Sequence, residues 1–276
     1  MRAPLYQVDA FTAQNFSGNP AAVLVLAAFP PAVDMQAIAA ENNLAETAFI
    51  VPSGGNFRIR WFTPTVEVPP CGHATLASAA VVMERLHPDR DHVVFESASG
   101  PLQVTRVENG FLMDLPVRQC VPIAEPEGLA DALGAHLLET VWDGYNYLVR
   151  LDRADEVRRL EPRLDVIAQM PSAGVIVTAA GEDGYDCVSR YFAPAKGIPE
   201  DPVTGGAHCA LTPYWVDRLG KTELRAYQAS GRGGEMLCRL TADRVELTGA
   251  CTFFLEGEAY WEPRCPARQS LTLAAA

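Results

Sequence analysis

Two stretches of this chain are near copies of each other. Arg60-Trp61-Phe62-Thr63-Pro64-Thr65 leads into a glycine turn, Cys71-Gly72-His73-Ala74-Thr75. Arg190-Tyr191-Phe192-Ala193-Pro194-Ala195 leads into another, Asp201-Pro202-Val203-Thr204-Gly205-Gly206-Ala207-His208. From residue 60 to residue 190 is 130 positions, close to half of the 276-residue chain. Thr47-Ala48-Phe49-Ile50-Val51 matches Ala173-Gly174-Val175-Ile176-Val177 at a spacing of 126, and Ser99-Gly100 matches Ser230-Gly231 at 131. That period is too long for a solenoid. It predicts two similar halves whose paired loops face one pseudo-twofold cleft, a geometry that grips a small anion from both sides.

The length suits two units of roughly 130 residues, each able to bury its own core. A hydrophobic content of 49% and a charged content of 20% describe an ordinary soluble globular chain. The net charge of −12 excludes nucleic acid as an expected partner, because phosphate binding needs a basic surface. It also repels anions at long range, so an anion site must be local and built from dipoles. Seven cysteines without a C-x-x-C pair form neither a disulfide framework nor a zinc ribbon. The apolar run from Ala21 to Phe29 is short and follows Asp9, Asn15 and Asn19, unlike a signal peptide. Nothing approaches the ~18 apolar residues of a membrane span. The expectation is a cytoplasmic protein with no membrane partner.

Apolar alternation predicts strands near 5–11, 22–26, 48–51, 57–62, 93–95, 102–107 and 111–115. Asp34 is placed to cap a helix that runs to about Asn42. Gly72 to Leu86 is apolar on every face, which predicts a helix buried all round with a sheet wrapped about it. Pro116 to Pro126 reads as a linker. Beyond it come a helix near Leu129–Leu138, strands near 145–151, 174–178 and 187–191, and a helix from Gly205 to about Leu219. Pro213 must kink that last helix or sit near its first turn. Hairpins near 224–228, 236–240, 245–247 and 251–255 complete the chain.

Each repeat ends in a glycine loop that opens a helix. Helix starts carry free N–H groups and partial positive charge, and glycine lets a ligand approach the backbone. Gly72-His73 and Gly205-Gly206-Ala207 are therefore candidate carboxylate sites, set against the plainer reading that they only start helices. Neither is a Walker A loop. Glu46 lies among small and apolar residues ahead of a strand, where burial would raise a carboxyl towards general-base range; a capping acid is the plain alternative. Asp201 is a turn former or an assisting acid. His73 at a helix start is expected to be kept neutral by the dipole, and His208 is read as ambiguous. Cys71 precedes a helix start, where a thiol pKa falls. Paired with Asp201 it would serve a racemase, but the second loop offers no matching thiol. A metal site from Cys71, His73, Asp201 and His208 lacks helical ligand spacing, and Cys-His hydrolysis lacks an orienting third residue.

The opening Gln7-Val8-Asp9-Ala10-Phe11-Thr12, Gly18-Asn19-Pro20-Ala21-Ala22-Val23, the block Asn43 to Phe49, the block Arg60 to Thr75, Gly197 to Gly205, and Gln228-Ala229-Ser230-Gly231-Arg232-Gly233-Gly234 resemble, in order, the PhzF-like isomerases of phenazine biosynthesis. The resemblance implies an α+β fold of the diaminopimelate-epimerase-like type. Two pseudo-symmetric halves each curl a mostly antiparallel sheet around a central helix. They are expected at 1–118, joined by a C-terminal strand near 260–275, and at 127–259, with the active site between them. It also implies cofactor-free proton transfer on a small carboxylate substrate, and a homodimer. By motif match Glu46 takes the acid/base role, His73 and Asp201 assist, and the amides around Cys71, Gly72, Gly205, Gly206 and Ala207 bind carboxylate. No metal is implied. Two positions depart from the family pattern: Pro69-Pro70 precede Cys-Gly-His, and Gly206 stands where the family usually has Ser. The racemase and a non-catalytic acid-binding protein remain the alternatives.

Overall fold

The computed structural model of the chain describes residues 1–264. Its strands form two runs. The first is β1 (Arg2–Ala10), β2 (Asn19–Val25), β3 (Glu46–Ser53), β4 (Asn56–Phe62), β5 (Glu67–Val68), β6 (His92–Ser97), β7 (Gly100–Val107) and β8 (Gly110–Pro116). The second is β9 (Val121–Pro122), β10 (Glu139–Trp142), β11 (Asn146–Arg150), β12 (Gly174–Ala180), β13 (Cys187–Ala193), β14 (Ile198–Asp201), β15 (Glu223–Gln228), β16 (Gly234–Thr241), β17 (Arg244–Gly249) and β18 (Cys251–Tyr260). In the first run β1–β2 is antiparallel, β2–β3 parallel, β3–β4 antiparallel and β4–β6 parallel, and β6–β7–β8 is a meander. The same sequence of pairings recurs in β10–β11, β11–β12, β12–β13, β13–β15 and the meander β15–β16–β17.

Strands β8 and β17 pair with each other and join the two runs. The strand that trails each meander crosses over: β18, after β17, lies along β1, and β9, after β8, pairs with β10. The stretch read as a linker thus contains a short strand. The strand that completes the first run is β18, earlier than the expected 260–275; residues 265–276 lie outside the described residues.

The helices are α1 (Ala32–Asn42), α2 (Gly72–Val81), α3 (Leu129–Leu133), α4 (Ala154–Arg159), α5 (Leu164–Ile167) and α6 (Gly205–Leu219). All of α2 from His73 onward is buried, as its unbroken apolar surface requires. Its alanines let β1, β2, β3 and β8 pack close on several sides. A π-helical turn, Val82–Leu86, ends it. Three expectations need correction. Asp34 lies inside the first turn of α1, after Pro31, and is no cap. The helix expected to reach Leu138 stops at Leu133, because Gly134 turns left-handed there with φ 63°. Helices α4 and α5, too short for a periodic signal, were not anticipated.

Pro213 does sit inside α6. Lacking an N–H, it leaves the Cys209 carbonyl free, and the Arg118 amide takes that acceptor at 3.0 Å. The broken helical bond is thereby replaced by a tie to the segment between β8 and β9.

Candidate active site

The two helix starts meet. A Cβ on Gly72 would lie 3.7 Å from the Gly205 Cα, and one on Gly205 would lie 3.8 Å from the Gly72 Cα. The amides of Gly72, His73, Gly205 and Gly206 precede the first intrahelical bonds and have no backbone partner among the described residues. Ala207 differs from expectation: its N–H already bonds the Thr204 carbonyl at 3.1 Å. This junction lies in a cleft of about 490 Å³ that also receives Glu46, Cys71, His73 and Asp201.

The repeated Arg-aromatic-Phe motif turns out to brace the approaches to this junction. Arg60 on β4 forks onto Glu67 of β5, and Arg190 on β13 forks onto Glu200 of β14. Each pair pins the short strand that leads towards a glycine loop. Because Gly72 meets Gly205, His73 corresponds to Gly206 and Cys71 to Thr204, the residues at the helix caps. His208 lies further along α6, fully buried. Its Nδ1 lies 2.8 Å from the Thr204 carbonyl, and burial pushes its pKa down to about 4. It is a neutral structural residue.

Glu46 opens β3, beside Ala21 in the parallel pair with β2. It is buried, and its Oε2 lies 3.1 Å from His73 Nε2. The approach is off the hydrogen-bond direction, and neither atom has another partner among the described residues. The corresponding register in the second run pairs Asn146 with Gly174. There a side chain has no room, since a Cβ would come within 2.7 Å of the Tyr191 hydroxyl. One half thus carries the acid and the other half fills its place with a phenol.

His73 is not the neutral ring expected from a helix start. Burial lowers its pKa, but the facing Cys71 and Glu46 overcome that and hold it well above the ordinary imidazole range. Cys71, whose Sγ is 3.3 Å from His73 Nδ1, is itself pushed up by burial and by the Glu46 charge. That direction is opposite to the lowered thiol pKa expected just before a helix start. Burial likewise raises Asp201, to about 6, with His73, Thr204 and Asn19 pulling against it.

Glu46, Cys71 and His73 offer ligand atoms within 4.8 Å of one another. Yet Cys71 sits at Nδ1 and Glu46 at Nε2, opposite edges of one ring. A single ion cannot bind both edges, so this cluster does not fit a metal.

Asn19 was the residue the sequence reading passed over, although its Gly-Asn-Pro motif was visible. Its Nδ2 lies 2.7 Å from Asp201 Oδ1, 2.9 Å from the Val203 carbonyl and 3.1 Å from His73 Nδ1. Two amide hydrogens cannot serve three sites; the carboxylate and the carbonyl take them, which leaves Cys71 as the partner of Nδ1. The late Gln-x-Ser-x-Arg-Gly motif holds this array from behind. Gln228 donates to the Asp201 carbonyl at 2.7 Å and accepts from the Thr204 amide at 2.8 Å. Ser230 donates to the Pro202 carbonyl, and Arg232 clamps the Ser17 and Gly18 carbonyls and Asp9.

The family model described as phenazine biosynthesis-like protein, PhzC-PhzF, matches residues 8–257. The chain belongs to the phenazine biosynthesis-like family. An uncharacterized isomerase of Pseudomonas aeruginosa is 45% identical to this PhzF-like chain, over 93% of it and 98% of the relative. A PhzF-family crystal structure from Enterococcus faecalis is 43% identical, with a TM-score of 0.91, covering 95% of this chain and 100% of the other. The PhzF-like fold extends to a probable proline racemase from Agrobacterium radiobacter, TM-score 0.63 at 12% identity, covering 96% and 94% of the two chains. The α+β architecture and the isomerase class of this PhzF-like enzyme are those of its relatives. No helix among the described residues is long and apolar enough to cross a membrane.

Proposed function

We propose that this enzyme moves a proton within a small carboxylic acid by general acid/base catalysis, with Glu46 as the group that carries it. The observation behind this reading is the buried Glu46 carboxylate, 3.1 Å from His73, whose pKa is raised, beside the junction of two helix starts. The four free amides of Gly72, His73, Gly205 and Gly206 suit a substrate carboxylate and the negative charge that develops on it. Glu46 removes a proton from the adjacent activated carbon, and the bonding electrons delocalise into the conjugated acid. Glu46 then returns the proton to a different carbon of the same molecule. His73 stabilises the ionised base, and Asp201, with a pKa of about 6, exchanges its proton at neutral pH. The racemase that pairs Cys71 with Asp201 finds less support, because burial and the Glu46 charge push the Cys71 thiol up, away from an activated thiolate. A homodimer belongs to the same proposal, as does a division at 1–118 and 127–259 in which β18 returns to the first half.

A panel of small unsaturated and keto acids incubated in D₂O tests this. The expected result is deuterium uptake by one acid, reduced about 10²–10⁴-fold in Glu46→Gln, with binding of that acid kept. Unchanged uptake in the variant removes Glu46 from the role.

A further inference from the structure

The cleft holds two cations that the proton transfer does not use, Arg118 and Lys196. The Arg118 amide is tied to α6 through the carbonyl that Pro213 frees, and its guanidinium stacks 4.8 Å over the Tyr145 ring. Among the described residues the one acid within 4.0 Å of the guanidinium nitrogens is Asp143, at 3.7 Å. That carboxylate is already occupied by the Tyr145 amide and by the amide and side chain of Asn146. Lys196 Nζ is bonded to the neutral Tyr191 hydroxyl at 3.2 Å. Among the described residues no carboxylate therefore accepts a hydrogen bond from either cation.

Both cations line the one cleft, near enough for the charge of Arg118 to act on Lys196. Burial, and then the charge of Arg118, press the Lys196 pKa below its usual value. Like charges held together at a cleft, in a chain of net charge −12, are relieved by a bound anion. Gly206 completes the picture. A Cβ there would already lie 3.6 Å from Arg118 Nη2, so the place of the family's usual serine hydroxyl is left to the guanidinium.

We propose that Arg118 and Lys196 form a second anion subsite, and that the substrate is a small acid carrying two anionic groups. This rests on the reading of the cleft as a carboxylate site. A carboxylate offers about four lone-pair positions, and the four amides at the helix junction suffice for them. The fork of Arg118 and the ammonium of Lys196 then require a second acceptor on the same molecule, which planar guanidinium geometry suits best as a carboxylate.

Calorimetric titration of the intact protein with chain-matched pairs tests the subsite: succinate against butyrate, glutarate against valerate, adipate against hexanoate. At least one di-acid is expected to bind about ten-fold or more tightly than its mono-acid partner. That preference should vanish in Arg118→Gln and weaken in Lys196→Gln while the mono-acid affinity stays. Both side chains lie at the rim, and thermal melts of the variants check that they fold. Equal affinities within every pair, or a preference that survives the double variant, overturn the subsite. If none of the six acids binds, the carboxylate reading of the cleft fails and takes this inference with it.

Discussion

Asp201 shows how one residue's surroundings set both chemistry and stability. In the folded chain it gives up its proton at about 6, against an ordinary value of 3.8. Between those values the folded state holds more protons than the unfolded one. Lowering the pH through that window therefore favours folding, and raising it costs stability until the carboxyl is fully ionised. Relative to Asp201→Asn, the native chain should gain on the order of 2 kcal/mol as pH falls from about 7 to about 4. Urea unfolding of both proteins across that range reads the difference directly; parallel profiles would show that Asp201 is not held as described.

At the scale of elements, the decisive feature is how loops are held rather than which helices they start. The segment from Asp201 to Thr204 hangs on Gln228, which is almost wholly buried at the end of β15. Gln228→Ala would strand a buried amide and a buried carbonyl. It should cost about 1–3 kcal/mol in the denaturant midpoint and lower turnover more than substrate affinity, since it displaces Asp201 without touching the cleft. A variant as stable and as active as the native enzyme would dismiss the anchoring role. Much of this level was visible beforehand. The buried α2 followed from its apolar surface, and the repeated arginines marked β4 and β13. The bonding of those arginines to Glu67 and Glu200 was not visible, because no periodicity links a strand to an excursion further along the chain.

Over the whole molecule, the trailing strands exchange between runs. β18 covers the full length of β1, which otherwise presents an open edge above a buried core. A chain ending at Ala250 should lose cooperative folding and aggregate, as judged by size exclusion and near-UV circular dichroism. A monomeric truncation with a sharp thermal transition would show that the first run folds without its partner strand. Residues of both runs meet in one cleft, Glu46 and His73 from the first and Asp201 from the second, with Asn19 and Gln228 bonded behind them.

By itself the sequence determined most of the longer strands, the buried α2, the repeat and the two glycine loops that start helices, because apolar period, turn chemistry and helix-start chemistry are local properties. It also carried enough ordered motifs to place the family. The charge states did not follow from it. The pKa values of Cys71 and His73 are both raised, the thiol by burial and then by the Glu46 charge and the imidazole by Cys71 and Glu46 against burial, and those proximities exist only once β3 and α2 have packed. Arg118 belongs to the cleft only because a proline on a distant helix leaves its amide an acceptor. Electrostatics depends on distances through space, and those were decided by the tertiary structure.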